Sequence, residues 1–353
     1  MNKVAIVSFY KSENYGAILQ AVALQQAIAS LGYTPCYLDY ERKLKLSFPR
    51  RILNIVYSYI RGFLGYKKRY MRSSCFIRKF INVEQFIDEE QYDIYVVGSD
   101  QVWFPGYVSD FFLLSFIKKK KKISYASSFG ISKLENSYHK YYYDCLSTFD
   151  AISTREEKGS EIVRSLGLES RVVVDPTLLF AKSFWLEKTV EPCVNGDYIL
   201  CYVMNGDAVT ANAVYEYAHK LSILYFNRCK VIVIGDKEYK KLIPGFNLIC
   251  DAGPAEFLGY IKNATFIVTS SFHGTCFSIL FEKDYINILR SNNPVKGRIE
   301  EINHKLGLDN RILYYAGSSI SVLEVAPIDY KKVGVKLDAL REGSINYLKE
   351  SLR

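Results

Sequence analysis

The sequence predicts an α/β protein with two doubly wound domains that face each other across a cleft, and three observations lead to this prediction. Apolar runs of strand length alternate with helical segments along the chain. Each predicted strand is apolar on both faces, as in a parallel sheet that helices cover on both sides. The 353 residues are enough for two domains, and a polar stretch near the middle separates two such sets of elements.

The first set of elements opens with a β-α-β unit. A strand at 4–8 is followed by a polar turn, a helix from Gly16 to about Ser30 and a strand at 35–40. Gly32 comes directly after this helix, where a left-handed residue is favoured. Further strands are predicted at 94–97, 123–126, 151–154 and 171–174. A turn at Asp175 and a polar stretch at 187–197 follow, so we place the N-terminal domain at 1–185.

The second set of elements makes a C-terminal domain at 186–329. Its predicted strands are 198–204, 231–234, 246–249, 266–268 and 285–289. Helices alternate with them near 208–222, 254–264, 272–283 and 296–306. Residues 330–353 have helical periodicity, and we expect them to fold back on the first domain. Since parallel sheets bind ligands beyond the carboxyl ends of their strands, the active site should come from residues that directly follow strands.

The positive charge is concentrated in one segment. The formal net charge is +9, but residues 41–80 hold twelve Lys or Arg and one acidic residue, which leaves the rest of the chain nearly neutral. This distribution argues against a nucleic-acid binder, which needs a basic face on the domain itself. Residues 50–69 mix cations with aliphatic and aromatic side chains, as an interfacial helix on an anionic membrane surface would, or as an ordinary helical excursion would. Residues 118–122 add to that surface or form a solvated loop.

The cysteines and the missing motifs narrow the class of protein. Eight cysteines stand far apart without zinc-ligand spacing, so we expect no metal, reduced thiols and a cytoplasmic location. The first residues resemble a strand rather than a signal peptide, and no apolar stretch reaches membrane-helix length. The sequence contains no phosphate-loop, dinucleotide-binding or nucleophile-elbow motif, and no D-x-D motif for a metal-held nucleotide diphosphate. The usual ATPase, dinucleotide-binding and esterase interpretations therefore lose support.

Two strand ends in the first half carry polar residues. The loop from Ser8 to Gly16 leads into a helix whose first amides suit an anion or a sugar hydroxyl, although it could equally be a satisfied turn. After the strand at 94–97, Asp100 is a candidate general base or hydroxyl acceptor and Trp103 a candidate sugar platform. The alternative for Asp100 is a cap on the next segment.

Further along the chain, Arg155 and His273 are the strongest candidates. Arg155 follows a strand, and its guanidinium suits a phosphate, a carboxylate or a structural ion pair. His273 begins an apolar helix directly after a strand, where an imidazole could exchange protons with a ligand, and Gly274 would let a ligand approach backbone amides. Arg290 and Arg298 could add positive charge to the same site or form surface pairs.

Seven ordered motifs resemble those of the polysaccharide pyruvyl transferase family. They run from residue 14 to 308 and are Asn14 to Gln20, Gly98 to Trp103, Tyr125 to Gly130, Ser153 to Glu156, Val174 to Thr177, Ser271 to Thr275, and Arg298 with Leu306 to Leu308. The resemblance implies two Rossmann-like domains similar to B-type glycosyltransferases. It also implies transfer of pyruvate from phosphoenolpyruvate to two hydroxyls of a sugar as a cyclic ketal, with no other cofactor and no metal.

The resemblance also suggests roles and a location. The expected catalytic residues are His273 and Asp100. The expected donor-binding residues are Arg155, Ser271, Phe272, Gly274, Arg290 and Arg298, and the expected acceptor-binding residues are Asn14, Tyr15, Gly16, Gln101 and Trp103. The family implies a bacterial surface-glycan acceptor carried on a lipid, so we expect the protein at the inner face of the cytoplasmic membrane. The chain departs from the family at Ser271, where better-studied members have a donor-binding Arg.

Two other functions stay open at this point. A glycosyltransferase or epimerase of the same fold would use a nucleotide sugar instead of phosphoenolpyruvate. A catalytically silent scaffold, docked on the membrane within a glycan-assembly complex, would need no donor at all, and the change at Ser271 is compatible with it.

Overall fold

The computed structural model describes residues 2–39, 67–203, 208–235, 247–290, 296–315, 322 and 326–353. Within these ranges the chain forms two large parallel sheets flanked by helices, with a small two-stranded sheet beside the first, so the predicted α/β fold with doubly wound sheets is confirmed. Residues 41–66 of the basic segment lie outside the described residues, and so do Met204, 236–246 and 291–295.

The first sheet is built from the N-terminal part of the chain. Its strands are β1 (Lys3–Val7), β2 (Thr34–Leu38), β3 (Val83–Glu84), β4 (Ile94–Val97) and β5 (Lys121–Ser124), and they are parallel in the order β3-β2-β1-β4-β5. The helices of this part are α1 (Tyr15–Ser30), α2 (Lys67–Phe80), α3 (Asn136–Leu146) and α4 (Glu157–Ser165). Helix α1 is apolar nearly all round because it buries thirteen of its sixteen residues between the sheet and the second half of the chain.

The second sheet follows a short helix, α5 (Lys182–Leu186). Its strands are β8 (Tyr198–Tyr202), β9 (Lys230–Ile234), β10 (Asn247–Ile249), β11 (Phe266–Thr269), β12 (Tyr285–Arg290) and β13 (Ile312–Tyr315), parallel in the order β10-β9-β8-β11-β12-β13. The helices are α6 (Ala208–Tyr225), α7 (Pro254–Asn263), α8 (Phe272–Leu280), α9 (Lys296–Leu306) and α10 (Tyr330–Leu352). Strand order reverses direction between β1 and β4 and between β8 and β11, which are the positions where such sheets bind ligands.

The observed strands differ from the predicted ones mainly where a strand is short or lies at a sheet edge. Strands β3 and β13 are not predicted from the sequence. They lie at the sheet edges, and they lack an apolar run because their residues are exposed or half-buried. The predicted strands at 151–154 and 171–174 are shorter, as β6 (Ser153–Thr154) and β7 (Arg171–Val172). These two pair with each other, and single bridges from Ala151 and Thr154 connect them to the edge of the first sheet.

Helix α10 contacts the N-terminal part of the chain. The Tyr347 hydroxyl donates to the Ser124 carbonyl at 2.9 Å, and the Ser344 hydroxyl accepts from the Val174 amide at 3.0 Å. The guanidinium of Arg341 donates to the Leu178 carbonyl at 2.6 Å. The boundary that the sequence analysis places between residues 185 and 186 lies in α5, between β7 and β8, and it stays a prediction.

Helix α2 is the described part of the basic segment, and it packs one face against the rest of the molecule while the opposite face is exposed. Its buried residues Arg69, Ser73 and Phe76 share one helix face. The Arg69 guanidinium lies 4.8 Å from the ring centroid of Tyr15. Arg72 meets the Glu256 carboxylate at 3.1 Å and donates to the Asp251 carbonyl at 2.8 Å. Two of its cations, Lys68 and Arg72, thus contact the second half of the chain. Membrane contact by residues 50–69 stays a prediction.

Candidate active site

The structure brings Asp100, Arg155 and His273 together around one further carboxylate, that of Asp175. Each of these residues follows a strand: Asp100 follows β4, Arg155 follows β6, Asp175 follows β7 and His273 follows β11. The Asp175 Oδ2 atom lies 3.0 Å from the Arg155 Nη1 atom and 3.5 Å from the His273 Nε2 atom. The Arg155 Nη2 atom lies 3.4 Å from the Asp100 Oδ1 atom. The predicted convergence of strand ends therefore places these four side chains in one cluster.

Asp175 is the centre of this cluster and is fully buried. It caps the short helix Pro176–Leu179, because its Oδ1 atom accepts hydrogen bonds from the Thr177 amide at 3.0 Å and hydroxyl at 2.8 Å. Burial alone would raise the pKa of Asp175, but His273, Arg155 and the Thr177 amide outweigh it and hold that pKa well below the usual range. Asp175 is therefore a fixed negative charge that orients Arg155 and His273.

Arg155 is enclosed by carboxylates. Its side chain is 1% exposed, and besides Asp175 and Asp100 it faces the Glu156 Oε2 atom at 3.7 Å. Burial opposes the charged guanidinium, yet Asp100, Asp175 and Glu156 together raise the pKa of Arg155. The structure thus agrees with the ion-pair alternative for Arg155. A guanidinium that already balances three carboxylates is poorly placed to be the main partner of a donor anion, as the sequence analysis expects of it.

Glu156 is more than the helix starter that its position suggests. It precedes α4, is 5% exposed, and accepts a short hydrogen bond of 2.5 Å from the Ser128 hydroxyl at its Oε1 atom. Its Oε2 atom has no hydrogen-bond partner among the described residues. Burial raises the pKa of Glu156 against the opposite effect of Arg155 and Arg298. A carboxyl group of this kind holds a proton more readily than an exposed one.

His273 is held in place from the other half of the molecule. It is 6% exposed, and a Cβ atom built on Gly16 would lie 1.9 Å from its Nδ1 atom, so only glycine fits at position 16 beside this ring. The Nε2 atom points towards Asp175 and has no hydrogen-bond partner in the described part of the chain. Gly16 therefore contributes to the site by making room for His273 rather than by contacting an acceptor.

The residues beside His273 form the start of α8. The Ser271 hydroxyl accepts from the Gly274 amide at 3.3 Å and caps the helix. A Cβ atom on Gly274 would meet the Thr269 hydroxyl at 2.5 Å and the Tyr202 ring at 2.9 Å. The space that a side chain on Gly274 would occupy is thus filled by protein, and the Gly274 amide already donates to Ser271. Ligand binding at Gly274 stays a prediction. Glycine is needed at this position because the helix packs closely on β11 and β8.

Arg298 is a second cation beside the cluster. Its guanidinium lies 5.7 Å from the ring centroid of Phe272, whose ring also lies 4.9 Å from the Arg155 guanidinium. No ion pair joins Arg298 to a carboxylate within the ranges that the structure describes. Burial and the neighbouring Arg155 lower the pKa of Arg298 to about 10. Arg290 ends β12 in register with Tyr315, and its donor-binding role stays a prediction.

Most of the predicted acceptor residues have structural roles. The Asn14 side chain caps α1 by accepting from the Gly16 amide at 2.9 Å. Tyr15 is fully buried and donates to the Ala252 carbonyl at 2.9 Å. Trp103 is also fully buried, with its indole nitrogen donating to the Phe112 carbonyl at 3.2 Å, so the prediction of a sugar platform at Trp103 is wrong. An aromatic residue after a strand cannot be assigned to core or cleft from its position in the sequence alone.

Gln101 lies next to the cluster but faces a loop. The backbone amide of Gln101 donates to the Asp100 Oδ1 atom at 2.9 Å. A Cβ atom on Gly130 would lie 2.4 Å from the Gln101 Nε2 atom, so the side chain packs on that glycine. Its role in acceptor binding stays a prediction. The Asp100 side chain is 14% exposed, which makes it the more solvent-accessible of the two aspartates that contact Arg155.

Sequence reasoning missed Asp175 and Glu156 as members of the site. The signal for Asp175 was present, because it follows the apolar run 172–174 as the other site residues follow their strands. Its Asp-Pro pair indicates a turn equally well. Among the described residues no group of His, Cys, Asp and Glu side chains has the geometry to hold a metal ion. No helix in those ranges is long and apolar enough to cross a membrane.

Comparisons with solved structures bear on the fold of this chain. Its fold is similar to S. aureus MnaA in a co-structure with UDP, at TM-score 0.52 and 11% identity, covering 99% of this chain and 91% of that chain. It is also similar to a UDP-GlcNAc 2-epimerase from Methanocaldococcus jannaschii, at TM-score 0.50 and 13% identity, with 96% and 92% covered. These likenesses show a two-sheet fold like that of B-type glycosyltransferases, as predicted.

The family follows from the sequence. The family model for polysaccharide pyruvyl transferase matches residues 14–292, and the chain belongs to this family. A search of curated proteins finds no match. Family membership makes the protein a transferase, and the matched range contains Asp100, Arg155, Asp175 and His273.

Proposed function

We propose that this protein transfers pyruvate from phosphoenolpyruvate to two hydroxyls of a sugar in a bacterial surface-glycan precursor and forms a cyclic ketal. The observation that carries the proposal is the buried His273, which is held against Asp175 within a cluster of ionisable groups at the strand ends. Family membership supports the reaction class. Phosphoenolpyruvate needs a cation for its phosphate and carboxylate together with a proton donor for its enol carbon. His273 in the cluster is the proposed proton donor, and Arg298 beside Phe272 is the proposed cation.

The proposed reaction has two additions. His273 gives a proton to the methylene carbon of phosphoenolpyruvate, and a sugar hydroxyl attacks the resulting cationic carbon while Asp100 accepts its proton. Phosphate then leaves with the carbon–oxygen electron pair, and the second hydroxyl attacks the same carbon and loses its proton to complete the ketal. One of the two hydroxyl protons replaces the proton that His273 gave, and the other leaves with phosphate. Asp175 keeps the imidazole oriented throughout.

Arg298 is the proposed partner of the donor anion. Its guanidinium stands beside Phe272 and lacks an ion pair within the described residues, whereas Arg155 is balanced by carboxylates. In this scheme Arg298 replaces the Arg that better-studied members resembling this chain carry at the position of Ser271. Ser271 contributes by capping α8, which fixes the position of His273.

The test is phosphate release from phosphoenolpyruvate in the presence of a lipid-linked galactoside or mannosamine acceptor. We expect His273→Ala to lower kcat by at least about 100-fold, the usual size of a proton-transfer contribution. His219→Ala is the matched control, since His219 is an exposed residue of α6 and should leave kcat unchanged. Equal turnover in wild type and His273→Ala would refute the assignment. Titration with UDP-sugars by calorimetry separates the proposal from a nucleotide-sugar enzyme.

Membrane association is a further part of the proposal. A lipid-linked acceptor would be presented at the inner face of the cytoplasmic membrane, and the basic segment 41–80 offers cations and aromatic residues for contact there. We expect the protein to sediment with anionic vesicles more than with neutral vesicles at low salt. Equal sedimentation with both would contradict this part of the proposal and leave the chemistry unaffected.

A further inference from the structure

An exposed aromatic group lies beside the proposed site and is not used by the chemistry above. It consists of Phe9, Phe104 and Tyr107, which we call the aromatic platform. The Tyr107 ring centroid lies 5.6 Å from that of Phe9 and 5.0 Å from that of Phe104. Tyr107 is 46% exposed, whereas Phe9 and Phe104 are half-buried beneath it. The platform therefore presents one aromatic ring to solvent and supports it with two others.

The backbone holds this ring in place. The amides of Tyr107 and Val108 both donate to the Phe104 carbonyl, at 3.1 and 2.9 Å, which closes a tight turn. A Cβ atom on Gly106 would lie 2.4 Å from the Phe104 ring, so glycine allows that ring to lie against the turn. Phe9 continues into the core through Phe112, 4.7 Å away between ring centroids. A ring that is already positioned loses little conformational entropy when a ligand stacks on it.

The platform lies at the same edge of the first sheet as Asp100. Phe9 follows β1 and Asp100 follows β4, and these neighbouring parallel strands pair Val7 with Val97. The Ser8 hydroxyl donates to the Ser99 carbonyl at 2.7 Å, which ties the two loops together. Partial burial and then the Asp100 carboxylate raise the pKa of Tyr107 to about 12, against the opposite effect of Arg298 and Arg155. The hydroxyl of Tyr107 therefore lies within electrostatic reach of the site.

We propose that the aromatic platform is the acceptor subsite, on which the apolar face of a pyranose ring stacks against Tyr107 while its hydroxyl pair faces Asp100. This inference rests on the proposed function for the identity of the acceptor. Ligand sites combine aromatic surface with a few placed polar groups, and an acceptor with two reacting hydroxyls needs both. Tyr107 thus does what the sequence analysis expects of Trp103, four residues earlier in the chain.

Kinetics of the full-length protein provide the first test. We expect Tyr107→Ala to raise the acceptor KM at least about tenfold, on the order of an aromatic contact, and to leave the KM of phosphoenolpyruvate within twofold. Tyr107→Phe keeps the stacking face and should stay within threefold of wild type for both constants. Tyr143→Ala is the matched control, because Tyr143 is 47% exposed on α3. An unchanged acceptor KM in Tyr107→Ala, or an equal rise in both KM values, would overturn the inference.

A binding measurement separates this inference from the proposed function. Methyl β-galactopyranoside and methyl N-acetylmannosaminide are titrated into wild type, Tyr107→Ala and Tyr107→Phe, with saturation-transfer NMR as the readout. Loss of the sugar signal in Tyr107→Ala and retention in Tyr107→Phe support the platform even if wild type releases no phosphate from phosphoenolpyruvate. Equal signals in all three proteins, or no signal from wild type with either sugar, refute the platform whatever the outcome of the phosphate assay.

Discussion

Gly16→Ala is the sharpest single test of how the active site is assembled. The new methyl group would lie 1.9 Å from the Nδ1 atom of His273, whereas real Cβ contacts shorter than 3.0 Å are essentially never seen. Either the imidazole or α1 must therefore retreat by about 1 Å. The other side of the ring faces the buried Asp175 carboxylate, which leaves it little room to move.

The expected result is a large loss of kcat with a moderate loss of stability. A displacement of about 1 Å at a catalytic group costs on the order of 100-fold in rate, and overpacking a core contact costs about 1–3 kcal/mol of unfolding free energy. The assays are kcat for phosphate release and the urea midpoint of unfolding. Gly343→Ala is the matched control, because its Cβ atom would meet nothing within 4 Å. It should lower neither kcat nor the urea midpoint. A kcat within threefold of wild type in Gly16→Ala would refute the reasoning.

The other predictions concern Asp175 and Arg298. Asp175→Asn leaves Arg155 and His273 without their shared carboxylate and should lower the unfolding free energy by about 3 kcal/mol at pH 7. The pKa of Asp175 is lower in the folded than in the unfolded chain. The gap in unfolding free energy between wild type and Asp175→Asn should therefore be constant above about pH 5 and shrink as pH falls below about 4. A gap that does not depend on pH would contradict a buried, charged Asp175. Arg298→Ala should raise the KM of phosphoenolpyruvate at least about tenfold and leave the acceptor KM unchanged, with the exposed Arg171→Ala as control. A donor KM that stays the same would remove Arg298 from donor binding.

The fold could be predicted from the sequence where burial is continuous. Strands such as Ile94–Val97 are buried at every residue, so an apolar run marks them without knowledge of the tertiary structure. The edge strands Val83–Glu84 and Ile312–Tyr315 are partly exposed and depend on hydrogen bonds to a neighbouring strand, which no local pattern reveals. For the same reason, the strands predicted at 151–154 and 171–174 are longer than β6 and β7 in the structure.

The site could be predicted in part, because strand order fixes which loops meet. The rule that ligands bind beyond the carboxyl ends of parallel strands correctly groups Asp100, Arg155 and His273. It does not distinguish a buried aromatic from an exposed one, so the position of Trp103 after a strand gives no sign that this side chain is buried whereas Tyr107 is exposed. The contact of Gly16 with His273 depends on how the two sheets pack together, and a single sequence carries no sign of that packing.

The ion pairs of helix α2 make one contact between the two halves of the chain sensitive to dissolved salt. Lys68 and Arg72 are partly exposed and hold Asp251 and Glu256 across the junction between the two sheets. Added salt screens partly exposed pairs, and it also screens the attraction of any cationic surface to anionic lipid. Raising the ionic strength would thus loosen an internal junction and a vesicle contact together. Membrane binding is therefore best measured at one salt concentration, with the fraction of anionic lipid as the variable.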